Sequence, residues 1–156
     1  MENPTEGLVL LVPFDVDELS QDVLGAAMKL ARRLEAAVIP LHVYTLPRYG
    51  YPGTNPALTP DFIERVTAAA QAEAERVAAM RCAPPPLVRE GDPAPEILRA
   101  AEELRPAMIV MGTHGRRGLS HLFLGSVAER VIRESRVPVT TLRFPDEAAK
   151  AFGEQR

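Results

Sequence analysis

Tryptophan is absent from this chain, and aromatic residues make up only 5% of its 156 positions, so any core must be built from aliphatic side chains. Cysteine occurs once, at Cys82, which excludes an internal disulfide and suits a reducing compartment. A lone thiol at the end of a helix, ahead of three prolines, is expected to be inert rather than redox-active. There is no basic excess: 18 Lys and Arg stand against 21 Asp and Glu, for a net charge of -3. That removes the electrostatic reason to expect nucleic acid or an anionic membrane as partner. No apolar run approaches the roughly 20 residues of a membrane-spanning helix, and residues 1–6 lack the basic start and apolar stretch of a secretory signal. A cytoplasmic location is the expectation.

Hydrophobic residues make up 46% and charged residues 25%, the balance of an ordinary globular chain. The length fits a single domain over 1–156, with a core at about 7–143 and a polar tail at 144–156. Residues 8–14 (LVLLVPF) form a nearly unbroken apolar run, as expected of a parallel strand covered on both faces. Leu19, Val23, Ala27, Leu30 and Leu34 then recur at helical spacing. Residues 37–44 (AVIPLHVY) read as a second buried strand, although Pro40 lacks a ladder donor.

Residues 45–59, crowded with Pro, Gly and Tyr, read as a long loop. A helix follows, with Thr59 as N-cap, Pro60 in its first turn and Phe62, Val66, Ala69, Ala70, Val77 and Met80 as its inner stripe. Residues 87–90 form a short strand. Asp92 and Pro93 open a helix with Ile97, Ala101 and Leu104 inward, and residues 107–111 (AMIVM) are an apolar strand. Residues 126–135 read as helix and 137–143 (VPVTTLR) as the last strand. This alternation predicts an α/β fold: a doubly wound sheet of about five parallel strands, order 3-2-1-4-5, with helices on both faces. Ligands in such sheets bind beyond the carboxyl ends of the strands, where the strand order reverses.

The segment after the fourth strand is where chemistry concentrates. Gly112, Gly115 and Gly125 permit close approach of backbone N–H groups to a phosphate, and the helix opening at Ser126 adds unpaired donors and the positive end of its dipole. His114, Arg116 and Arg117 are further candidate donors. A plainer role exists beside this one, because Ser126 and Glu129 match the S-x-x-E capping box. Neither the Walker A pattern nor a G-x-G-x-x-G after the first strand is present. Asp15, Asp17 and Glu18 could meet a magnesium ion through water, with Asp17 as a helix N-cap the simpler role. His42, His114 and His121 lack the companions of a zinc site. Gly118-Leu119-Ser120-His121-Leu122 misses the nucleophile-elbow pattern by its last residue.

The spacing G-x-x-G, nine residues, G-S at Gly112, Gly115, Gly125 and Ser126 resembles the ATP-binding signature of the universal stress protein family. LVPFD, LHV, EGDPAPEIL and SVAERVIRESRVPVTTLR extend that resemblance over roughly residues 7–143. The resemblance implies ATP, carried with Mg²⁺ or Mn²⁺. It places Pro13 and Asp15 beside the nucleoside and the backbone of Val43 on the adenine edge. Gly112, His114 and Gly115, with Arg116 adjoining, would line the ribose and phosphates, and Gly125, Ser126 and Val127 would donate to the phosphates. Two departures stand out: Val16 and Asp17 where Gly-Ser is common, and Ala128 where some ATP-binding relatives have a hydroxyl. The resemblance further implies a homodimer paired through residues 137–143 and a switch read by an unidentified protein partner. The alternatives are a slow ATPase or self-phosphorylating enzyme, and a dimeric scaffold without nucleotide.

Overall fold

The computed structural model describes residues 7–16, 18–46, 59–113 and 125–143. The roles expected of Asp17, most of the 45–59 loop and the 144–156 tail lie outside them, as does the inward placing of Leu19. The elements in order are β1 (Val9–Phe14), α1 (Glu18–Leu34), β2 (Ala37–Tyr44), α2 (Pro60–Met80), β3 (Leu87–Glu90), α3 (Pro93–Leu104), β4 (Met108–Gly112), α4 (Ser126–Glu134) and β5 (Val139–Leu142). The five strands are parallel, in the order β3-β2-β1-β4-β5 that the alternation predicts.

Alternation along β1 divides the core between the two faces. Leu10, Val12 and Phe14 pack with Leu24, Ala27 and Ala31 of α1 and with Ala74, Val77 and Ala78 of α2. Leu11 faces the other way, with Ala94, Ile97, Ala100 and Ala101 of α3 and Ala128 and Val131 of α4. The alanines let these helices approach the sheet closely, which is how a core with few aromatic rings reaches protein density. Pro40 is tolerated in β2 because the β2–β3 ladder starts one residue later, at Leu41↔Leu87.

The inner faces of α2 and α3 differ from expectation. Only Ala74, Val77 and Ala78 of α2 are buried, while Phe62 and Met80 remain exposed. The helix has 21 residues and β3 only four. At about 1.5 Å per helical residue and 3.3 Å per strand residue, the helix outruns the strand more than twofold. Thr59 caps α2 as expected, its Oγ1 accepting the Phe62 N–H at 3.2 Å. In α3 the buried stripe is Ala94, Glu96, Ile97, Ala100 and Ala101, and Leu104 in the last turn is exposed. β5 is shorter than the expected 137–143 because the Val137 N–H donates to Ser135 Oγ at 3.1 Å and Pro138 has no N–H to offer.

Candidate functional site

The order of the strands reverses between β1 and β4, and there the sheet opens. β1 stays paired with β2 through Phe14↔His42, and β4 with β5 through Gly112↔Leu142. The β1–β4 ladder stops at Leu11↔Ile109, short of the ends of both strands. The carboxyl ends of β1 and β4 therefore bound a crevice at the topological switch point, the location at which such sheets take ligands.

Asp15 lies half-buried just past the end of β1, its Oδ1 accepting the Val16 N–H at 2.8 Å. Pro13 is buried within β1. Next to it in the sheet, β2 carries His42 and Val43. His42 is a buried core histidine: its Nδ1 is 3.2 Å from the Phe14 carbonyl oxygen and its ring tilts against the Phe14 ring at 5.8 Å. That hydrogen bond ties the ends of β1 and β2 together. Val43, half-buried, pairs with Arg89 of β3.

On the far side of the crevice, Gly112 is the last residue of β4, and Thr113 donates its N–H to the Leu142 carbonyl at 3.2 Å. The Thr113 carbonyl accepts the Gly125 N–H at 2.7 Å. The chain that leaves β4 thus returns to the same point to begin α4. Of the expected site residues, Pro13, Asp15, Val43, Gly112, Gly125, Ser126 and Val127 fall in the described regions. His114, Gly115 and Arg116 lie outside them.

The capping-box role for Ser126 does not hold. The N-cap is Gly125, with φ -60 and ψ 146, and Ser126 is the first helical residue. Gly125 has no side chain with which to cap, and the first intrahelical bond of α4 is Glu129 N–H to the Gly125 carbonyl at 2.9 Å. The N–H groups of Ser126, Val127 and Ala128 precede that bond, so they have no intrahelical acceptor. Among the described residues no side chain caps these donors, and with the positive end of the helix dipole they favour an anion. Ala128 itself is 3% exposed and packs among Leu11, Ile109 and Val131, so its side chain belongs to the core rather than to the crevice. Gly112 likewise has a packing reason for lacking a side chain, since a β-carbon there would stand 2.9 Å from Val23 Cγ2.

The family model for universal stress proteins matches residues 9–143. The chain belongs to the universal stress protein family. It is 30% identical to a universal stress protein of Methanocaldococcus jannaschii over 87% of this chain and 82% of that one. A universal stress protein of Bacillus subtilis is also 30% identical, over 86% of this chain and 97% of its own. Among solved structures, a universal stress protein in complex with cAMP superposes with a TM-score of 0.58 at 22% identity, covering 88% of this chain and 97% of that one. At that identity the likeness is one of fold.

This universal stress protein has a second cluster at the β3–α3 turn, within the EGDPAPEIL segment, whose side-chain pairing the sequence did not predict. Gly91 takes φ 148, donates its N–H to the Tyr44 carbonyl at 2.9 Å and accepts from Thr45 Oγ1 at 3.0 Å. Glu96 packs against it, 8% exposed, with Arg99 Nη1 at 2.6 Å and Arg89 Nη1 at 3.8 Å. Arg89 also holds Glu103 through a hydrogen bond that keeps the Glu103 carboxyl below the usual glutamate range. Asp92 occupies the N-cap position of α3 without capping it, and its Oδ2 lies 3.5 Å from Arg130 Nη1 of α4. Glu96 and Arg99 are neighbours on one helix face, whereas Asp92 and Arg130 are 38 positions apart and no motif joins them. Among the described residues no three His, Cys, Asp or Glu side chains gather as metal ligands, and no helix is long and apolar enough to cross a membrane.

Proposed function

We propose that this universal stress protein binds ATP in the β1–β4 crevice and serves as a nucleotide-dependent regulatory switch. The observation that carries the reading is the uncapped start of α4, brought by the Gly125–Thr113 hydrogen bond to the carboxyl end of β4, where the sheet has parted from β1. In this reading Gly125, Ser126 and Val127, with Gly112, His114, Gly115 and Arg116 of the same signature, hold the phosphates. Asp15 accepts a ribose hydroxyl, Pro13 flanks the nucleoside, and the backbone of Val43 meets the adenine edge.

The donor set fits a polyphosphate: backbone N–H groups at a helix start need no lysine to bind an anion. Bound Mg²⁺ or Mn²⁺ supplies charge neutralisation on the phosphates. Mg²⁺ takes its oxygens largely from phosphate and water, so the lack of a carboxylate cage among the described residues is compatible with it. Asp15 is the described carboxylate at the crevice, and the side chains described there include no general base aimed at a terminal phosphate. The switch is our reading, and phosphate release from bound ATP decides between it and a slow ATPase.

The same reading takes the chain as one cytoplasmic domain that forms a homodimer through β5, which among the described residues pairs only with β4. Its partner is a protein that distinguishes the occupied from the empty state. Calorimetric titration with ATP and Mg²⁺ tests the site, comparing the native chain with Gly115→Val. Saturable binding that the substitution abolishes supports the nucleotide site, and absence of phosphate release in the same sample supports the switch. Because one solved relative holds cAMP, cAMP is the competitor to titrate alongside. Tighter binding of cAMP than of ATP would replace the polyphosphate reading with a cyclic-nucleotide one.

A further inference from the structure

Two parts of the crevice wall are far apart in sequence but are tied together through one turn. At the base-binding end proposed above, Gly91 clamps the end of β2: its N–H bonds the Tyr44 carbonyl at 2.9 Å and its carbonyl takes the Thr45 hydroxyl at 3.0 Å. Tyr44 is the residue after Val43. The clamp is stiff, because Gly91 sits at φ 148 with the buried Glu96 side chain so close that a β-carbon would stand 2.9 Å from Glu96 Cγ. At the phosphate end, the neighbouring residue Asp92 reaches Arg130 Nη1 of α4 at 3.5 Å, while Arg130 Nε pairs with Glu134 of the same helix at 3.2 Å. Arg130 is one helical turn below Ser126, on the same face of α4. The unusual feature is Asp92 itself. It stands at a helix N-cap, where a carboxylate ordinarily accepts an N–H of the second or third helical residue; the third is Pro95, which has none, and Asp92 makes no cap bond and reaches α4 instead.

We propose that the Gly91–Asp92 turn is a strut that sets the separation between the base-binding edge at Val43 and the phosphate-binding start of α4, with Asp92 and Arg130 as positioning residues. The inference rests on the nucleotide reading of the crevice. Neither residue touches the ligand; a correct spacing matters only to a ligand that spans both ends. ATP spans them and adenosine does not. The strut therefore lowers the reorganisation cost of binding ATP while leaving adenosine unaffected.

Asp92→Asn in the full-length protein separates this from simple electrostatics. Removing a negative charge near a polyphosphate site should strengthen ATP binding on Coulomb grounds alone. The strut requires the opposite sign: ATP affinity falls about three- to five-fold, the scale of an exposed ion pair, while adenosine affinity stays as in the native protein and the melting temperature falls by no more than about 2–4 °C. Asp92→Asn combined with Arg130→Gln should cost no more than Arg130→Gln alone, since either change removes the same tie. ATP affinity unchanged or raised in Asp92→Asn overturns the proposal, as does an equal loss for ATP and adenosine, which would mean general loosening. If the native protein binds no ATP, the nucleotide reading fails first and the strut with it; if it binds ATP and the variants bind equally, only the strut fails.

Discussion

A β-carbon on Gly112 would stand 2.9 Å from Cγ2 of Val23, so the last residue of β4 and the first core turn of α1 are in contact because one of them has no side chain. The glycine that begins the phosphate signature is thus required by packing independently of any ligand. Gly112→Ala should destabilise the protein by about 1–3 kcal/mol, as overpacking does. Adding Val23→Ala opens room, so the double variant should lose less than the sum of the two single losses, by at least about 0.5 kcal/mol. Urea unfolding without nucleotide reads this. Strict additivity would show that α1 does not confine Gly112.

The start of α4 offers a substitution that removes a donor without disturbing the helix. Gly125 already has the extended conformation that a residue before proline adopts, and Ser126 is the first helical residue, where proline is favoured. Ser126→Pro should fold with an unchanged melting temperature while losing one N–H to the proposed phosphates. A hydrogen bond to a charged group contributes about 1.5–3 kcal/mol, so ATP affinity should drop on the order of ten- to a hundred-fold. Ser126→Ala, which keeps the N–H, should lose less. Native affinity in a folded Ser126→Pro would remove that N–H from the site.

How far the sequence disclosed this structure depends on the range of the interactions involved. The bounds of α1, β2 and β3 and the strand order follow from hydrophobic periodicity and from alternation of strand and helix, which are local signals. Where α2 turns its apolar stripe outward, the cause is the shortness of β3, which is not encoded in α2 itself. Gly125 rather than Ser126 is the N-cap because the Thr113 carbonyl draws the Gly125 N–H back to β4, an event that the S-x-x-E pattern cannot register. Periodicity assigned α3 its Ile97 and Ala101 but passed over Glu96, since a carboxylate is expected outside; burial came with Arg89 and Arg99 as partners. Asp92 and Arg130 are separated by 38 positions, and no residue type at either end marks the pair.

Glu103 gives the structure a defined response to acid. Its hydrogen bond from Arg89 lowers its pKa below the usual 4.5; desolvation opposes this, and the charges of Arg89 and Arg99 add smaller lowering contributions. A carboxyl whose folded pKa is depressed contributes stability that is present above the unfolded value and is lost as pH falls through the folded one. The contribution of this pair should therefore be intact at neutral pH and disappear below about pH 4.5. Carbon-detected NMR of the Glu103 carboxyl should show a midpoint below that of an ordinary glutamate. In Arg89→Gln the midpoint should move up, and an unmoved midpoint would mean that Arg89 does not hold the carboxylate.

β5 supplies the test of assembly, because its two edges can be told apart. The carbonyls of Pro138 and Leu142 accept from the Ile109 and Thr113 N–H groups at 2.9 and 3.2 Å, so the even-numbered residues of this strand face β4. By alternation, Val139 and Thr141 turn their N–H and C=O groups to the edge away from β4. Thr141→Pro removes an outward donor while sparing the β4 ladder, a setting in which a strand tolerates proline. The native chain should scatter light at twice 17.0 kDa at micromolar concentration, and Thr141→Pro should shift it toward the monomer with the far-ultraviolet circular dichroism unchanged. Thr140→Pro, which takes a donor from the β4 ladder instead, should lose stability rather than only the dimer. A native chain that is already monomeric, or a Thr141→Pro dimer as tight as the native one, would move the interface away from this edge.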